Sequence, residues 1–556
     1  MTQTLHIASA QLNAHVGDLW GNIDKARQAY ARAKTDGADI LVLPEQFIIG
    51  YPAEDLVLKP AAITDCKALC EDFAKITKDG PAVVFNAPWR VDGKLYNAAL
   101  FMRGGKITDV RMKHHLPNYG VFDEFRIFTR GPLPEPVEFK GIKIGLPICE
   151  DLWQAGVASH LVDQGAEILI SPNGSPWRRS ALSERSEALG DKVHNEGLPL
   201  IYVNQIGGQD ELVFDGSSFS MAADGTIVQA LKSFVEDYDL ATWEKGADGW
   251  VCTQAKVEAQ LTGFEADWRA MCLGLSDYVN KNGFKQIILG LSGGVDSAIV
   301  AAIATDALGP ERVWCLMMPT KYTSGDSLKD AKDCAERLGC RYDIIEIKPA
   351  IDAFGQMLGP LFEGTDSGTA EENIQSRARG LTLMALSNKF GPMLVTTGNK
   401  SEMAVGYATL YGDMCGGYNP LKDVYKTEVF KLCEWRNAHN PEDLLGGDAP
   451  IPVNIITKPP SAELRDDQKD SDSLPEYEVL DDILRGLIEE ELPLEDIIAR
   501  GHSKADVKRI QHLLYIAEYK RRQAPPGVKI GSKNFGRDRR YPITNKYRDR
   551  LPSEDT

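Results

Sequence analysis

Apolar and polar residues alternate over Thr4–Gln11 with the period of a strand. Asn22 is then placed to cap a helix running to about Thr35, and 39–43 is an apolar strand closed by Pro44-Glu45. The β-α-β rhythm continues with a helix near 61–76 and a strand at 82–85. A hairpin of 95–102 and Lys106–Met112 turns on Gly104-Gly105. Further strands are expected at 142–148, 167–171 and Leu200–Asn204, with a polar helix at about 180–195. The strands 217–222 and 226–229 close this half. Such a pattern predicts a two-layer sheet sandwich with helices outside. Residues 233–254 are acidic and lack a long period, so the domain boundary is expected there, dividing 1–250 from 251–556. A long amphipathic helix at 257–280 leads into the apolar run 286–289. Strands at 312–318, 342–347 and 393–396 alternate with helices at 324–338 and 371–389. That alternation predicts a parallel, doubly wound sheet with ligands at the carboxyl ends of its strands.

Composition narrows the function classes. A chain of 556 residues exceeds a single core, and 43% hydrophobic with 26% charged residues is the balance of a soluble protein. A net charge of −18 argues against general nucleic-acid affinity. No apolar run reaches bilayer length and residues 1–30 lack a leader pattern, so no membrane association is expected. Ten cysteines without a Cys-x-x-Cys pair or a metal-ligand spacing fit reduced thiols and a cytoplasmic location.

Two constellations carry chemistry. The first follows the apolar run at 286–289: Gly290-Leu291-Ser292-Gly293-Gly294-Val295-Asp296-Ser297, then a helical stretch. A strand, a glycine-rich turn and a helix N-terminus present free N–H groups to a phosphate. No Gly-Lys-Ser/Thr closes the loop, so it is not the Walker type. Asp296 is out of place in an anion cradle unless a cation lies between it and the phosphates. The second constellation is Glu45 after Leu-Val-Leu-Pro, Lys113 in Arg-Met-Lys-His-His-Leu-Pro, and Cys149 in Leu-Pro-Ile-Cys-Glu-Asp-Leu-Trp. Taken singly they read as a solvated carboxylate, a surface lysine and a buried thiol. Together they supply a base, an oxyanion partner and a nucleophile.

The loop resembles the Ser-Gly-Gly-x-Asp-Ser loop of the ATP-pyrophosphatase family, which adenylates substrates with release of pyrophosphate. The triad, with its neighbours, resembles that of the nitrilase/amidase superfamily, over most of residues 1–230. That resemblance implies an α-β-β-α sandwich in which Cys149 attacks an amide, Glu45 moves the proton and Lys113 steadies the oxyanion. It also implies that Tyr119 and Ser175 hold glutamine and that Glu124 could orient Lys113. Ala181 stands where members of that family usually carry a lysine, so Arg178 or Arg179 is expected to take that contact.

Later segments resemble the NAD synthetase family. Glu-Glu-Asn-Ile-Gln-Ser-Arg-Ala-Arg at 371–379 matches a segment that contacts deamido-NAD, which implicates Asn373 and Arg377, with Arg379 beside them. Thr-Thr-Gly-Asn-Lys-Ser-Glu at 396–402 implies Thr397 toward ATP and Glu402 toward deamido-NAD and Mg²⁺, with Asp296 as second metal ligand. Lys426 and Ser461 match phosphate contacts, and Lys520 matches a dinucleotide contact. The acidic stretch 465–474 then reads as a lid. The whole chain is similar to fused members of the family, carbon–nitrogen ligases that use glutamine as amido donor. The resemblance implies Mg²⁺, ATP as co-substrate, an adenylated intermediate, ammonia passed between the sites and a homo-octamer. The rival readings are an ATP-pyrophosphatase amidotransferase with another acceptor, such as GMP or asparagine synthesis, and an inactive nucleotide-binding scaffold. The triad and the Glu-Asn-Ile-Gln-Ser-Arg segment disfavour the first, and the intact Cys149, Glu45, Asp296 and Glu402 disfavour the second.

Overall fold

Thr4–Gln11 forms with the predicted bounds and pairs in parallel with Ile40–Val42, which pairs in parallel with Ala82–Val91. These coordinates, a computed structural model, describe residues 3–465, 468 and 474–549 and divide into two units, Met1–Gly263 and Phe264–Thr556. In the first unit, Lys94–Arg103 and Lys106–Met112 extend the sheet antiparallel through the Gly104-Gly105 hairpin. Asp237–Gly246 and Gly249–Gln254 complete its seven strands on the opposite edge. This pair lies in the stretch expected to be irregular. Ala241 and Trp243 face the second sheet, Tyr238 faces the outer helices, and the half-buried Asp239 lies between them, which masks the strand pattern. The expected boundary after residue 250 falls within Gly249–Gln254, whose pairing keeps it in the first unit.

A second sheet of six strands runs Ile227–Ala230, Phe219–Met221, Leu200–Asn204, Ile168–Asn173, Ile142–Gly145, Val137–Phe139. Leu5, Ile7, Val42 and Val84 of the first sheet pack with Ile144, Ile170, Ile201 and Val203 of the second. Leu19–Thr35 and Pro60–Lys75 cover the outer face of the first sheet, and Val157–Asp163 and Ala181–Glu196 that of the second. The layers are therefore α-β-β-α. The cap of Leu19–Thr35 is Asp18, which accepts from the Gly21 N–H at 3.0 Å. Asn22, expected in that role, is buried and ties the His15 and Ile48 carbonyls instead.

The second unit is built on a fully parallel sheet in the order Arg341–Ile344, Val313–Met317, Ile287–Gly290, Met393–Leu394. Val295–Leu308, packed on most sides, crosses from the central strand. Gly325–Leu338 and Thr369–Phe390 form within a few residues of expectation, and Ser324 caps the former. The helix Lys348–Phe362 was not expected. Tyr477–Ile488, Leu494–Ala499 and Lys504–Ile516 bury a separate apolar cluster against Lys400–Val405. The basic C-terminal stretch is held by its own unit: Asp423 accepts from the Ile530 and Gly531 N–H groups at 2.7 Å. Most of the expected lid, including Asp466, Asp467, Asp470 and Asp472, lies outside the described residues. Among the described residues no helix is long and apolar enough to cross a membrane.

Candidate functional sites

In the first unit three loops at strand ends converge. Glu45 follows Ile40–Val42, Lys113 follows Lys106–Met112, and Cys149 follows Ile142–Gly145. All three side chains are buried. Glu45 Oε1 accepts from Lys113 Nζ at 2.7 Å and from Asn97 Nδ2 at 2.7 Å, and Glu45 Oε2 accepts from the Gly174 N–H at 2.9 Å. Lys113 Nζ also donates to Glu124 Oε1 at 2.9 Å, where the Tyr51 hydroxyl donates at 2.9 Å. Cys149 has φ +45°, a costly conformation for a residue with a Cβ, at the N-terminus of the short helix Glu150–Trp153. Asp151 holds that turn in place. Its Oδ2 accepts from the Ile148 N–H at 3.1 Å, and its Oδ1 from the His114 and His115 N–H groups at 3.1 and 2.7 Å. The cysteine turn and the lysine loop thus share one buried carboxylate.

The electrostatics follow from this packing. Burial, the largest influence, pushes the Lys113 ammonium down, but Glu124, Glu45 and Cys149 together hold it well above its ordinary range. It stays charged. Burial first, and then Glu45, push the Cys149 thiol well up, against Lys113 and the Gly174 N–H. The resting group is therefore a thiol with a carboxylate and an ammonium as neighbours. Burial raises Glu124 to about 7, opposed by Lys113 and reinforced by Glu45. Asp151 is raised to about 6 by burial, with the backbone donors at His115 and Ile148 opposing.

Tyr119 is 56% exposed, and its hydroxyl donates to Glu150 Oε2 at 2.9 Å. The Ser175 N–H donates to Asn204 Oδ1 at 2.9 Å, and its carbonyl accepts from Asn204 Nδ2 at 3.1 Å. Arg185, paired through both terminal nitrogens with Asp215, also reaches the Ser175 and Pro176 carbonyls at 3.3 Å. Ala181 is buried at the start of its helix. Arg178 is engaged by Glu184 at 2.6 Å, which turns it to a local ion pair. Asn97, Tyr51, Asp151 and Arg185 were not singled out from the sequence. Asn97 left a faint trace there, a lone amide in the otherwise apolar run Leu95–Met102.

In the second unit Gly290–Ser297 forms the strand–turn–helix expected. Ser297 Oγ donates to the Gly294 carbonyl at 3.0 Å and accepts from the Ser292 N–H at 3.1 Å. Ser292 Oγ lies 3.1 Å from Ser297 Oγ and accepts from the Gly294 N–H at 3.2 Å. Gly293, at φ +81°, has no room for a side chain, since a Cβ would come within 2.4 Å of the Ser327 carbonyl. Leu291 and Val295 are buried and anchor the loop on either side.

Asp296 Oδ1 accepts from Asn399 Nδ2 at 3.0 Å, and Asp296 Oδ2 pairs with Lys426. Glu402 Oε1 lies 3.6 Å from the same ammonium. Two hard oxygen donors thus converge beside the phosphate loop, and among the described residues no group of three or more metal-binding side chains forms. That set fits Mg²⁺, which keeps several waters and takes phosphate oxygens with one or two carboxylates.

Thr397 lies partly exposed where the chain leaves the strand Met393–Leu394. Ser461 Oγ donates to the Gln468 carbonyl at 2.5 Å. Two residues on, Glu463 accepts from the Ser324 and Ser327 hydroxyls at 2.8 Å, so this loop is fastened to the residue whose carbonyl abuts Gly293. Asn373 Oδ1 accepts from Thr409 Oγ1 at 2.9 Å, and Arg377 Nε donates to the Leu410 carbonyl at 3.2 Å. Lys520 Nζ donates to the Gly406 and Ala408 carbonyls at 2.7 Å. Burial lowers its pKa, with Asp413 opposing and Arg377 adding to the effect. Asn373, Arg377 and Lys520 are thereby gathered around the turn at 406–413.

The carbon-nitrogen hydrolase family pattern matches residues 6–244 and the NAD synthase pattern residues 267–524. The chain is 49% identical to the glutamine-dependent NAD(+) synthetase of Rhodobacter capsulatus, over 99% of this chain and 100% of that one. It is 44% identical to the Xanthomonas campestris pv. campestris (strain 8004) protein of the same name, over 98% of each. Among solved structures, glutamine-dependent NAD+ synthetase from Acinetobacter baumannii in complex with adenosine diphosphate aligns with a TM-score of 0.78 at 40% identity. It covers 99% of this chain and 100% of that one. The glutamine-dependent NAD(+) synthetase from Cytophaga hutchinsonii, at 23% identity and a TM-score of 0.81 over 98% of each chain, shares the fold.

Proposed function

The chain belongs to the glutamine-dependent NAD(+) synthetases, and on that premise we propose how its two sites divide the reaction. The enzyme amidates deamido-NAD (nicotinic acid adenine dinucleotide) to NAD⁺ in an ATP-dependent reaction that takes its nitrogen from glutamine. Lys113, held charged between Glu45 and Glu124 beside the strained Cys149, is the observation that supports the first half of the assignment.

Glutamine enters over Tyr119 and Ser175 with its side-chain amide at Cys149. Because the thiol is protonated at rest, its proton must leave as the sulfur attacks, and Glu45 takes it. Lys113 steadies the oxyanion of the tetrahedral intermediate. Collapse breaks the C–N bond, Glu45 returns the proton to the departing nitrogen, and ammonia leaves a thioester. Glu45 then takes a proton from water as its oxygen attacks the thioester, the C–S bond breaks, and Glu45 returns the proton to the sulfur as glutamate leaves.

In the second unit Gly290–Ser297, Thr397, Lys426 and Ser461 hold ATP, and Asn373, Arg377, Glu402 and Lys520 hold the dinucleotide. Asp296 and Glu402 would hold Mg²⁺, which when bound offsets phosphate charge. The nicotinate carboxylate attacks the α-phosphorus, pyrophosphate leaves, and ammonia displaces AMP from the adenylated carbonyl. Lys426, shared by Asp296 and Glu402, would face the ATP phosphates and offset their charge. Since ammonia is mostly ammonium at neutral pH, an enclosed route between the sites preserves the nucleophile. The assembly is a cytoplasmic homo-oligomer, an octamer by family resemblance. Met357, Leu361, Leu381 and Phe390, each more than 60% exposed on Lys348–Phe362 and Thr369–Phe390, support an interface between copies. The test is a direct assay with deamido-NAD, ATP, Mg²⁺ and glutamine. Formation of NAD⁺, AMP, pyrophosphate and glutamate in equal amounts is expected, and no NAD⁺ would sink the acceptor assignment.

A further inference from the structure

Arg377 and Arg379 lie two positions apart on the helix Thr369–Phe390, which turns their side chains about 200° from one another around its axis. They therefore meet different neighbours. Arg377 faces the turn at 406–413, where it reaches the Leu410 carbonyl. Arg379 faces the other way, and its Nε donates to the Met318 carbonyl at 3.2 Å, just past the end of Val313–Met317. One helical turn further on, Leu383 shares the face of Arg379. A Cβ placed on Gly290 would meet Met318 Cε at 3.4 Å and Leu383 Cδ1 at 3.6 Å. Arg379 is therefore bracketed by the two side chains that touch the first residue of the phosphate loop. Glu463, on the Ser461 loop, favours the charged form of Arg379 and is itself held by Ser324 and Ser327. The first phosphate loop thus borders this guanidinium.

Among the described residues Arg379 forms no ion pair, and its single hydrogen bond uses Nε. Both terminal nitrogens of the fork are left for another group. Burial lowers its pKa, and Glu463 and Asp413 only partly offset this. A half-buried guanidinium whose terminal nitrogens have no protein partner among the described residues is open to an anion, and a planar fork suits phosphate oxygens.

We propose that Arg379 binds the phosphate chain of ATP, whereas Arg377, on the opposite face of the same helix, serves the dinucleotide. This rests on the reading of the chain as an NAD synthetase, so wild-type synthesis of NAD⁺ is measured first, and its absence would sink that reading independently. With the full-length protein, Arg379→Gln should raise the KM for ATP about tenfold or more and move the KM for deamido-NAD less than about threefold. Calorimetry with an ATP analogue carrying a methylene between the α- and β-phosphorus should show a matching loss of affinity. Arg377→Gln should give the reverse pattern. Arg379→Lys keeps the charge without the fork and should lose about threefold or more in affinity for the analogue, which keeps the test decisive should the glutamine variant fail to fold. An unchanged KM for ATP and unchanged analogue affinity in a folded Arg379 variant, or a rise confined to the KM for deamido-NAD, would overturn the proposal.

Discussion

The two sites are built on opposite plans. In the first unit every charge already has its partner: Lys113 between Glu45 and Glu124, Glu45 fixed by Asn97 and the Gly174 N–H, and the cysteine turn fixed by Asp151. In the second, the charges are lent to one another or to the backbone. Lys426 is shared by Asp296 and Glu402, Lys520 rests on two carbonyls, and Arg379 has only one. The difference follows from the chemistry. Covalent attack on an amide needs protein groups placed before the substrate arrives, because the protein supplies the nucleophile, the base and the oxyanion partner. Adenylation is carried by substrates that bring several negative charges, so the protein holds cations in reserve until they bind.

This contrast can be broken by removing charges from each side. Asp296→Asn takes a carboxylate from the open site, so NAD⁺ synthesis should fall about 10³-fold with glutamine and with ammonium alike. Retained activity with ammonium would show that Asp296 serves neither metal nor phosphates. Lys113→Met strikes the closed site twice. Glutamine hydrolysis should fall about 10²- to 10³-fold. Two buried carboxylates would also be left without their cation, at a cost of about 3–5 kcal/mol read from thermal or denaturant unfolding. A variant with full stability would contradict the tight pairing of that site.

The smallest effect concerns Glu124, raised by burial from 4.5 to about 7. The folded protein therefore holds this proton more tightly than the unfolded chain, and linkage fixes the sign. Its contribution to stability is largest below pH 4.5 and is lost as pH rises toward 7. Glu124→Gln should remove that loss, so its melting temperature relative to the wild type should climb across this window and level off above it. A flat difference would mean that Glu124 stays ionised throughout.

Legibility in the sequence follows the same division. The catalytic candidates of the first unit lie in short local runs at strand ends, such as Leu-Pro-Ile-Cys-Glu-Asp, so their identity could be read directly. Their supporting groups could not. Asn97 lies 52 positions from Glu45, and Asp151 reaches back 36 positions to the His115 N–H. Such contacts exist only once the sheets have paired. The parallel sheet of the second unit was legible because buried strands and amphipathic helices alternate there. Asp237–Gly246 was missed because its buried Tyr238, Ala241 and Trp243 are spaced unevenly among acidic residues. The opposite orientations of Arg377 and Arg379 follow from helical geometry, but what each one faces depends on Leu410 and Met318, neither of which is a local neighbour.

The most direct test of a division of labour between a closed glutaminase site and an open synthetase site is one variant assayed with two nitrogen donors. In Cys149→Ala, initial rates of NAD⁺ formation should drop by at least ~10³-fold with glutamine and stay near the wild-type rate with saturating ammonium. Loss of both rates, or survival of the glutamine rate, would contradict it.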